Sequence, residues 1–345
     1  MYSALKLLKI AVVILNWNGR SFLKKFLPSV IDHSHDDAEI IIADNASTDD
    51  SVPFLKKEFP EIRIIRNESN GGFAKGYNDA LKEVEAEYFV LLNSDIEVTP
   101  GWIKPVIDLM DSDPDIAACQ PKIRSYHDRE KFEYAGAAGG FIDKYGYPFC
   151  RGRLFQTLEK DTGQFDEVTE VFWATGACLF VRANVYRQLG GLDERFFAHM
   201  EEIDFCWRAK NKGYKVMVCP QSTVFHVGGG TLPKKSWRKT YLNMRNNNIM
   251  MYKNLPDNRL LKVFLARLFL DGIAAFKFLV DGGIRDFFAV IKAHWSFYGV
   301  YPELKSERKL KKHLPVTRVY LRNIVFDYFM RGKKKFSDLN QDKFS

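Results

Sequence analysis

A carboxylate stands directly after one of the most apolar runs of the chain. Residues 88–92 form a short hydrophobic run that ends in Asn93-Ser94-Asp95. A run of β-branched and aromatic residues of this length predicts a buried strand, and open α/β sheets bind ligands beyond the carboxyl ends of their strands. Asp95 could bind Mg²⁺ or Mn²⁺ against a diphosphate, because these hard cations take oxygen ligands and leave positions open for phosphate oxygens. The alternative is a turn aspartate that binds backbone amides.

A second carboxylate, Asp44, has the same kind of position. It follows the hydrophobic run 39–43, and the sequence Asn45-Ala46-Ser47 then leads into a helical stretch. Asp44 could accept hydrogen bonds from a base or a ribose, while the start of the helix favours anionic groups. A cluster that only caps the helix is the alternative.

Two adjacent glycines, Gly71 and Gly72, precede the next predicted helix within residues 70–78. Glycines here allow the backbone to approach a bound phosphate or sugar closely. The segment matches neither the dinucleotide-binding pattern nor the P-loop pattern. A glycine-rich turn without a ligand is the alternative.

Three carboxylates, Glu201, Glu202 and Asp204, open a predicted helix over residues 201–211. Like charges at this spacing raise one another's pKa, which suits a carboxylate to act as a general base near neutral pH. The alternative is an acidic helix start that is exposed to solvent. The flanking aromatic residues oppose this alternative, because they indicate that the carboxylates are partly buried.

A histidine, His226, ends a hydrophobic stretch and is followed by three glycines, residues 228–230. Beside a metal-binding aspartate, the imidazole could complete the coordination sphere or hold a leaving diphosphate. The glycines would permit a loop that closes over the bound molecule. The alternative is a structural histidine.

Alternating strands and helices must position these residues. Four early hydrophobic runs separated by helical spacing predict a parallel sheet with crossover helices, whose polar strand ends converge at one rim. The predicted strands are residues 10–15, 39–43, 62–66, 88–92, 116–119 and 215–219. The predicted helices are residues 20–31, 49–59, 74–84, 183–189 and 201–211, with another ending near residue 110. A second hydrophobic run covers residues 171–181, and residues 121–170 form an irregular insertion with abundant glycine and tyrosine.

Taken in this order, the segments resemble the family 2 glycosyltransferases, inverting enzymes of the GT-A fold that include rhamnosyltransferase-like members. The resemblance covers residues 8–250. The matching segments are residues 12–19, 44–49, 70–78, 91–95, 174–177 and 190–197, together with the acidic cluster and His226. It implies an α/β fold of the GT-A type, with a mixed, mostly parallel sheet flanked by helices and a basic, helical C-terminal extension.

The resemblance also implies roles for individual residues. Asp44 corresponds to the contact with the nucleotide base or ribose, and His226 corresponds to a later metal or diphosphate contact. Asp95 corresponds to the metal ligand of an Asp-x-Asp-like motif, in which Asn93 replaces the first aspartate. Glu201-Glu202 matches the Glu-Asp catalytic pair, so the general base is Glu202, with Glu201 and Asp204 as competitors. The expected nucleotide-sugar site contains Asn16, Asn18, Asp44, Asn45, Gly71, Gly72, Lys75, Asn78 and Asn93, and Thr175 and Gly176 are expected on the acceptor side.

The implied reaction is a metal-assisted single displacement at the anomeric carbon of a nucleotide-diphosphate sugar, with Mg²⁺ or Mn²⁺ as cofactor. The acceptor is expected to be a hydroxyl of a glycan or of a lipid-linked saccharide. Two alternatives are a sugar nucleotidyltransferase and a non-catalytic glycan-binding module. The first needs a glycine-rich, arginine-bearing loop after the first strand, which residues 16–19 do not supply, and in the second the ordered carboxylates would be superfluous.

Charge divides the chain into two parts. Residues 231–345 carry a net charge of +15, and residues 1–230 carry −7. We expect a catalytic domain over residues 1–254 and an amphipathic, basic helical region over residues 255–345, with helix from about residue 232 onward. Residues 260–280 suit a helix that lies on an anionic membrane surface, and the alternative is a helical subdomain packed on the core. Nucleic acid is not an expected partner, because no recognition motif accompanies the basic clusters.

Cysteine content bears on location. The five cysteines form no C-x-x-C pair, and their odd number does not suit a complete disulfide framework. No signal peptide is expected at the N-terminus, where a strand-like run begins within ten residues. The expected location is therefore the cytoplasm, with peripheral association at the cytoplasmic face of a membrane as a further expectation.

Overall fold

The computed structural model describes residues 8–34, 38–228, 236–309 and 315–345, and it has an α/β architecture. The strands are β1 (Leu8–Asn16), β2 (Glu39–Asp44), β3 (Arg63–Arg66), β4 (Ala86–Asn93), β5 (Ile96–Val98), β6 (Ile116–Ser125), β7 (Gly140–Asp143), β8 (Pro148–Cys150), β9 (Arg153–Leu154), β10 (Thr157–Leu158), β11 (Thr169–Glu170), β12 (Cys178–Arg182), β13 (Lys215–His226) and β14 (Val319–Tyr320). The helices are α1 (Arg20–Ser34), α2 (Ser51–Glu58), α3 (Gly72–Leu81), α4 (Lys104–Ser112), α5 (Ala183–Gln188), α6 (Glu201–Asn211), α7 (Trp237–Asn254), α8 (Asp257–Val280), α9 (Ile284–Arg308) and α10 (Ile324–Phe329).

The central sheet is mixed and mostly parallel. In the part of the chain that the structure describes it has nine strands, in the order β11-β13-β6-β12-β4-β1-β2-β3, with β5 paired to β13. The β1–β2, β1–β4, β2–β3 and β6–β13 pairs are parallel, whereas β12 is antiparallel to both of its neighbours. The fold class expected from the sequence is confirmed.

The central strands are apolar on both faces because helices cover both sides of the sheet. In β1, Val13 packs into one core and Val12 into the other, and both side chains are fully buried. Leu91 and Val90 alternate in the same way on β4. This two-sided burial explains why these strands appear in the sequence as continuous hydrophobic runs.

The second hydrophobic run, residues 171–181, is only partly a strand. Its last residues belong to β12, whereas Phe172 and Trp173 are buried outside any regular strand. The Trp173 indole N–H donates to the Phe141 carbonyl at 2.9 Å, and the Gly140 backbone N–H donates to the Trp173 carbonyl. Apolar packing against the insertion therefore accounts for the run without a continuous strand.

The insertion and the C-terminal end of the chain form one small sheet. Strands β7 to β10 pair in an antiparallel arrangement, and β14 joins β7 in parallel. The irregular structure expected for residues 121–170 thus contains short strands, and the C-terminal region is not helical throughout. Strand β14 in the C-terminal region has two residues, which are too few to give a periodic pattern in the sequence.

A helical hairpin follows the central domain. Helix α7 packs against α9, and α8 packs antiparallel to α9 across the turn at residues 281–283. None of the helices in the described ranges is both long enough and apolar enough to cross a membrane. The five cysteines are buried, and each has a free thiol.

Candidate active site

Three neighbouring strands end together at one rim of the central sheet. Parallel pairing places Asn16 at the end of β1 opposite Asp44 at the end of β2, and Leu15 opposite Asn93 at the end of β4. The backbone N–H of Asn93 donates to the Ala177 carbonyl at 2.9 Å, which brings the segment before β12 to the same rim. The convergence expected from the sequence is present for these residues.

Asp44 and Asn16 form a buried polar pair. The Asn16 side-chain Nδ2 donates to Asp44 Oδ1 at 3.2 Å, and Asp44 Oδ2 accepts from the Ser47 backbone N–H at 3.1 Å. Both side chains are fully buried, yet Asn16 Oδ1 has no hydrogen-bond partner among the residues that the structure describes. A buried polar atom without a partner is uncommon and marks a position where a ligand donor would be stabilised.

Two further asparagines hold the loops that surround this pair. Asn18, with a positive φ of 51°, accepts from the Thr48 and Asp49 backbone N–H groups through its side-chain oxygen. Asn45 donates to the Asn70 side-chain oxygen at 2.9 Å and to the Gly72 carbonyl. The predicted nucleotide segments are therefore hydrogen-bonded to one another, and Asn45 joins the strand end to the glycine turn.

The glycine turn lies against the segment that precedes α6. Gly72 has a φ of +89° and no room for a side chain, because a Cβ atom there would collide with the Phe197 carbonyl. The Phe73 N–H donates to that carbonyl at 2.6 Å. Gly71 is equally confined, since a Cβ would lie 2.5 Å from the Lys75 side chain. Both glycines allow close packing within the protein, and a close approach to a bound phosphate or sugar stays a prediction.

Lys75 and Asn78 are already engaged within the protein. The Lys75 ammonium donates to Asp79 at 2.7 Å and remains partly exposed. Asn78 donates to the Leu192 carbonyl and to Glu194, and its oxygen accepts from the Tyr186 hydroxyl and the Leu192 N–H. These four bonds use the whole capacity of an amide side chain, so direct contact between Asn78 and a sugar would require one of them to break.

Asp95 and His226 meet because β5 pairs with the end of β13. The pairing sets His226 opposite Ile96, and His226 Nε2 lies 3.2 Å from Asp95 Oδ1. A third group, Glu133, lies 3.2 Å from His226 Nδ1. Burial alone would lower the pKa of His226, but the two carboxylates raise it to about 10. Both carboxyl groups are buried, and the imidazolium holds their pKa values below the usual range.

This cluster has the donor types of a divalent cation site without being a preassembled one. No three His, Cys, Asp or Glu side chains within the described ranges adopt a metal-binding arrangement. The Asp95 carboxylate and the His226 imidazole are nevertheless groups that bind Mn²⁺, and a metal ligand must be the neutral imidazole. Cation binding at this pair would release the imidazolium proton. Of the glycines expected to form a mobile loop, residues 229 and 230 lie outside the described residues.

The predicted acceptor-side residues adjoin Glu202. Gly176 lies between helices α3 and α6, since a Cβ atom at this position would lie 3.1 Å from the Phe73 ring of α3 and 3.6 Å from the Cβ of Glu202 in α6. The Thr175 backbone N–H donates to Gln120 at 2.9 Å, and the Thr175 hydroxyl accepts from the Ala177 N–H. Thr175 thus fixes the backbone at Gly176, where the absence of a side chain allows Phe73 and Glu202 to approach closely.

The first two carboxylates of α6 each have one oxygen without a partner. Glu202 Oε2 and Glu201 Oε2 are buried atoms that have no hydrogen-bond partner within the described part of the chain. Burial raises the pKa of Glu202 to about 7, and burial together with the neighbouring Glu202 raises the pKa of Glu201 well above its usual value. Glu202 is the more accessible of the two residues. A carboxylate with a pKa near 7 is suited to general base catalysis near neutral pH.

The third carboxylate, Asp204, belongs to a buried ion-pair network. It accepts from Lys253 Nζ, Arg208 Nε and Asn254 Nδ2, each at 2.8 Å. Burial would raise its pKa, but Lys253 and Arg208 hold the pKa below the usual range. Lys253 also binds Asp193 at 2.5 Å. We call the side chains of Asp193, Asp204, Arg208 and Lys253 the ion network.

A strained loop leads into α6. Phe197, His199 and Met200 have positive φ angles of 60°, 70° and 76°, which non-glycine residues rarely adopt. Asn246 of α7 holds this loop, because its side-chain Nδ2 lies 2.8 Å from the carbonyl oxygens of Phe196, Ala198 and His199. Strain of this kind persists where the surrounding contacts impose it, commonly at functional sites.

Three residues that contact the candidate site were not found from the sequence. Glu133 lies in the irregular insertion, where no periodic pattern indicated a partner for His226. Asn246 and Lys253 lie on α7, far along the chain from the residues that they contact. Only the run of three asparagines at 246–248, unusual on a buried helix face, could have drawn attention to α7.

Comparison with known proteins agrees with this geometry. Residues 11–190 match the family model described as glycosyl transferase family 2. The chain belongs to this family. It is therefore an enzyme that transfers sugars from nucleotide-sugar donors, and it shares its family with proteins of glycan biosynthesis.

Two relatives illustrate the family. The glycosyltransferase is 25% identical over 233 residues to the N-acetylglucosaminyl-diphospho-decaprenol L-rhamnosyltransferase of Mycobacterium tuberculosis, a match that covers 62% of this chain and 75% of the relative. It is 24% identical to the low-salt glycan biosynthesis hexosyltransferase Agl10 of Haloferax volcanii, over 63% of this chain and 66% of the relative.

Solved structures share the fold of this glycosyltransferase. S. aureus TarS 1-349 in complex with UDP-GlcNAc has a TM-score of 0.56 at 15% identity, covering 86% of this chain and 83% of that one. The Pyrobaculum calidifontis mannosyltransferase PcManGT in complex with GDP-Man and Mn²⁺ has a TM-score of 0.51 at 12% identity, covering 89% and 84%. At these identities the likeness concerns the fold alone.

Proposed function

We propose that the protein is an inverting glycosyltransferase that moves a sugar from a nucleotide-diphosphate sugar to a hydroxyl of a lipid-linked saccharide. The observation that carries the proposal is Glu202, whose buried Oε2 has no partner among the described residues, whose pKa is about 7 and whose Cβ lies close to Gly176 on the predicted acceptor side. A base on the acceptor side of a nucleotide-sugar site is what a single displacement requires.

In the proposed reaction, Glu202 accepts the proton of the acceptor hydroxyl as that oxygen attacks the anomeric carbon. The bond to the donor diphosphate breaks in the same step, so the configuration at that carbon inverts. Glu201, the competitor on the same helix, is buried more deeply, and burial together with Glu202 raises its pKa well above the usual value, which suits it to remain protonated. Asp204 is engaged by three donors, so we assign it a structural role.

Asp95 and His226 would hold a divalent cation, Mg²⁺ or Mn²⁺, on the donor side. When bound, the cation would neutralise charge that develops on the departing diphosphate. The proposal rests on the direct contact of Asp95 with His226 and on the suitability of both donor atoms. Glu133 would then accept a hydrogen bond from the other imidazole nitrogen and fix the orientation of the ring, as carboxylates do behind metal-bound histidines.

The rim residues around Asp44 would bind the nucleotide. Asn16 Oδ1, buried and without a partner, is available to a donor group of the base or ribose, and Asp44 lies beside it. Gly71 and Gly72 would allow close approach of the donor. For Asn78 we propose a positioning role instead of direct contact, because its amide holds the loop at residues 192–194.

The acceptor class is inferred from two observations. The Mycobacterium tuberculosis relative bears a name that describes transfer to a diphospho-decaprenol-linked sugar. The basic C-terminal region of this chain is suited to anionic, membrane-linked substrates. Activity at the cytoplasmic face of a membrane is part of the same proposal.

The direct test incubates the full chain with a panel of nucleotide sugars and polyprenyl-diphosphate-linked saccharides, with and without Mn²⁺. We expect release of nucleoside diphosphate for one donor, dependence on Mn²⁺ and an inverted anomeric configuration by NMR. Release of pyrophosphate from a nucleoside triphosphate would instead favour a sugar nucleotidyltransferase. Retained configuration would contradict the assignment of Glu202 as the base.

A further inference from the structure

The outer side of α8 is apolar over the whole length of the helix. Eight of its large hydrophobic side chains are exposed, some by more than 60%: Leu261, Leu265, Leu268, Phe269, Ile273, Phe276, Leu279 and Val280. At 3.6 residues per turn these positions share one side of the helix within an arc of roughly 140°. Monomeric soluble proteins rarely expose a contiguous apolar surface of this length.

The inner side of α8 contains charge. The buried positions Val263, Arg267, Asp271 and Ala275 recur every four residues, and Arg267 and Asp271 are each 1% exposed. Arg267 binds Asp271 at 3.1 Å, and Asp271 lies 3.2 Å from His294 of α9. The helix therefore pairs two of its charges, Arg267 and Asp271, inside and presents leucine and phenylalanine outside, the reverse of an ordinary surface helix.

Helix α9 has the same character. Its exposed large side chains Ile284, Phe288, Ile291, Trp295 and Tyr298 follow the spacing of one helical stripe. Its buried stripe packs against α7 and α8, for example through Phe297, which stacks on Phe264 with ring centroids 5.5 Å apart. Together the exposed stripes of α8 and α9 form what we call the apolar face.

We propose that the apolar face of the α8–α9 hairpin binds the surface of an anionic lipid bilayer. Exposed cations, Lys262, Lys277, Arg285 and Lys292, lie on or beside the two stripes. Anionic headgroups would neutralise them while the apolar side chains enter the boundary of the acyl chains, the arrangement of an interfacial helix. Exposed tryptophan and tyrosine, here Trp295 and Tyr298, are favoured at that depth.

Charge also decides between a bilayer and a second copy of the chain. A two-fold dimer through the apolar face would bring the same surface of both copies together. Lys277 is already paired with Asp281 at 2.6 Å, but Lys262, Arg285 and Lys292 would be buried against like charges, a costly arrangement. A lipid surface with negative headgroups meets both the apolar and the cationic parts of the face.

The hairpin is tied to the acceptor side of the active site. Arg195 binds Glu307 of α9 at 2.7 Å and Asp193 at 2.6 Å, two residues before the strained loop that leads to Glu202. Thr240 of α7 donates to Asp286 at the start of α9 at 2.6 Å. A bilayer bound at the apolar face would therefore lie at a fixed position relative to Glu202. This link depends on the proposed function, whereas membrane binding itself does not.

The test is co-sedimentation of the full chain with vesicles of phosphatidylcholine alone or mixed equally with phosphatidylglycerol. We expect binding to the mixed vesicles and at least about tenfold weaker binding to phosphatidylcholine. The triple variant Phe269→Ser, Phe276→Ser and Trp295→Ser should lower the partition coefficient by about 100-fold or more. The matched control, Val168→Ser, Leu321→Ser and Met330→Ser, removes exposed apolar side chains elsewhere and should bind as the parent chain does.

Three outcomes would overturn the proposal. The first is failure of the parent chain to bind the mixed vesicles, and the second is equal vesicle binding by the two triple variants. The third is a parent chain that light scattering shows to be a dimer and that the triple variant of the hairpin (Phe269→Ser, Phe276→Ser and Trp295→Ser) converts to a monomer, when neither protein binds vesicles. Nucleotide-sugar hydrolysis by the hairpin variant, which leaves the catalytic residues unchanged, reports whether it is folded. If the hairpin variant does not fold, the tryptophan fluorescence of the parent chain is measured with brominated lipid and compared with that of Trp295→Phe. Quenching that is lost in Trp295→Phe supports the proposal, and quenching that Trp295→Phe retains opposes it.

Discussion

Two carboxylates on one helix, Glu202 and Asp204, have opposite environments. Glu202 has a buried oxygen without a partner and a pKa of about 7. Asp204, two residues further, accepts from Lys253, Arg208 and Asn254, and its pKa is held below the usual range. Both lie at the positive end of α6, so position on the helix does not explain the difference.

The difference separates a residue that is poised for chemistry from one that supports the fold. Leaving a buried oxygen unpaired costs free energy, and a group that bears such a cost is available to a ligand proton. Asp204 lacks this availability, because both of its oxygens already accept hydrogen bonds from Lys253, Arg208 or Asn254. The same contrast holds at the rim, where Asn16 retains an unpaired oxygen and Asn78 retains none.

Replacement of the proposed base should have the largest effect. Glu202→Gln preserves the size of the side chain but cannot accept the acceptor proton, so we expect the rate of transfer to fall by about 10²–10⁴-fold while nucleotide binding persists. Single-turnover transfer and nucleotide titration measure the two quantities. The matched variant Glu201→Gln should lose less. Near-normal turnover in Glu202→Gln would end the assignment.

Replacement of the structural carboxylate should act on stability. Asp204→Asn leaves Lys253 and Arg208 with less compensating charge, and removing one partner of a buried pair costs about 3–5 kcal/mol in the free energy of unfolding. Urea denaturation measures this loss. Asp108→Asn, which breaks the exposed pair with Lys104, is the control and should cost less than about 1 kcal/mol. Equal losses of unfolding free energy in Asp204→Asn and Asp108→Asn would contradict the claim that the buried ion network stabilises the fold more than an exposed ion pair does.

Replacement of Asp95 should weaken metal-dependent donor binding. In Asp95→Asn the charge of the proposed ligand is lost, so we expect the apparent affinity for Mn²⁺ with a nucleotide diphosphate to fall by about 100-fold, equivalent to about 2.7 kcal/mol. Calorimetric titration provides the measurement, and Asp204→Asn should leave that affinity near the parent value. An unchanged titration would count against the metal site at Asp95 and His226.

The raised pKa of Glu202 should also appear in the pH dependence of stability. Its folded pKa of about 7 exceeds the usual value of 4.5, so between these values the folded state binds more protons than the unfolded state. Stability attributable to this group therefore falls as pH rises from 4.5 to 7, by about 1–2 kcal/mol for a partly exposed side chain. Urea denaturation of the parent chain and Glu202→Gln should diverge over this window, and parallel curves would oppose the raised pKa.

Much of the site could be predicted because it depends on local patterns. Short apolar runs predicted the strands that carry Asp44 and Asp95, and parallel strands bring their carboxyl ends to one rim. The family and the fold class are confirmed. The residue assignments and the boundary at residue 254 remain predictions. The pairing of β14 with β7 and the ion pair of Arg195 with Glu307 join the two predicted regions closely.

Other features depend on contacts between distant parts of the chain. Glu133 reaches His226 from an insertion without periodic structure, and Lys253 reaches Asp204 across 49 residues. The hairpin was expected to be amphipathic, but only burial shows that the apolar stripe of α8 faces outward while Arg267 and Asp271 face inward. Spacing along a helix reveals two faces and does not say which of them is covered.

The most direct test of the central claim is the pH dependence of the single-turnover rate of transfer with saturating donor. If Glu202 is the general base, the rate of the parent chain should rise with pH and level off with an apparent pKa near 7, and the residual rate of Glu202→Gln should lack that transition. A Glu202→Gln variant that retains the transition at the same pH would contradict the account.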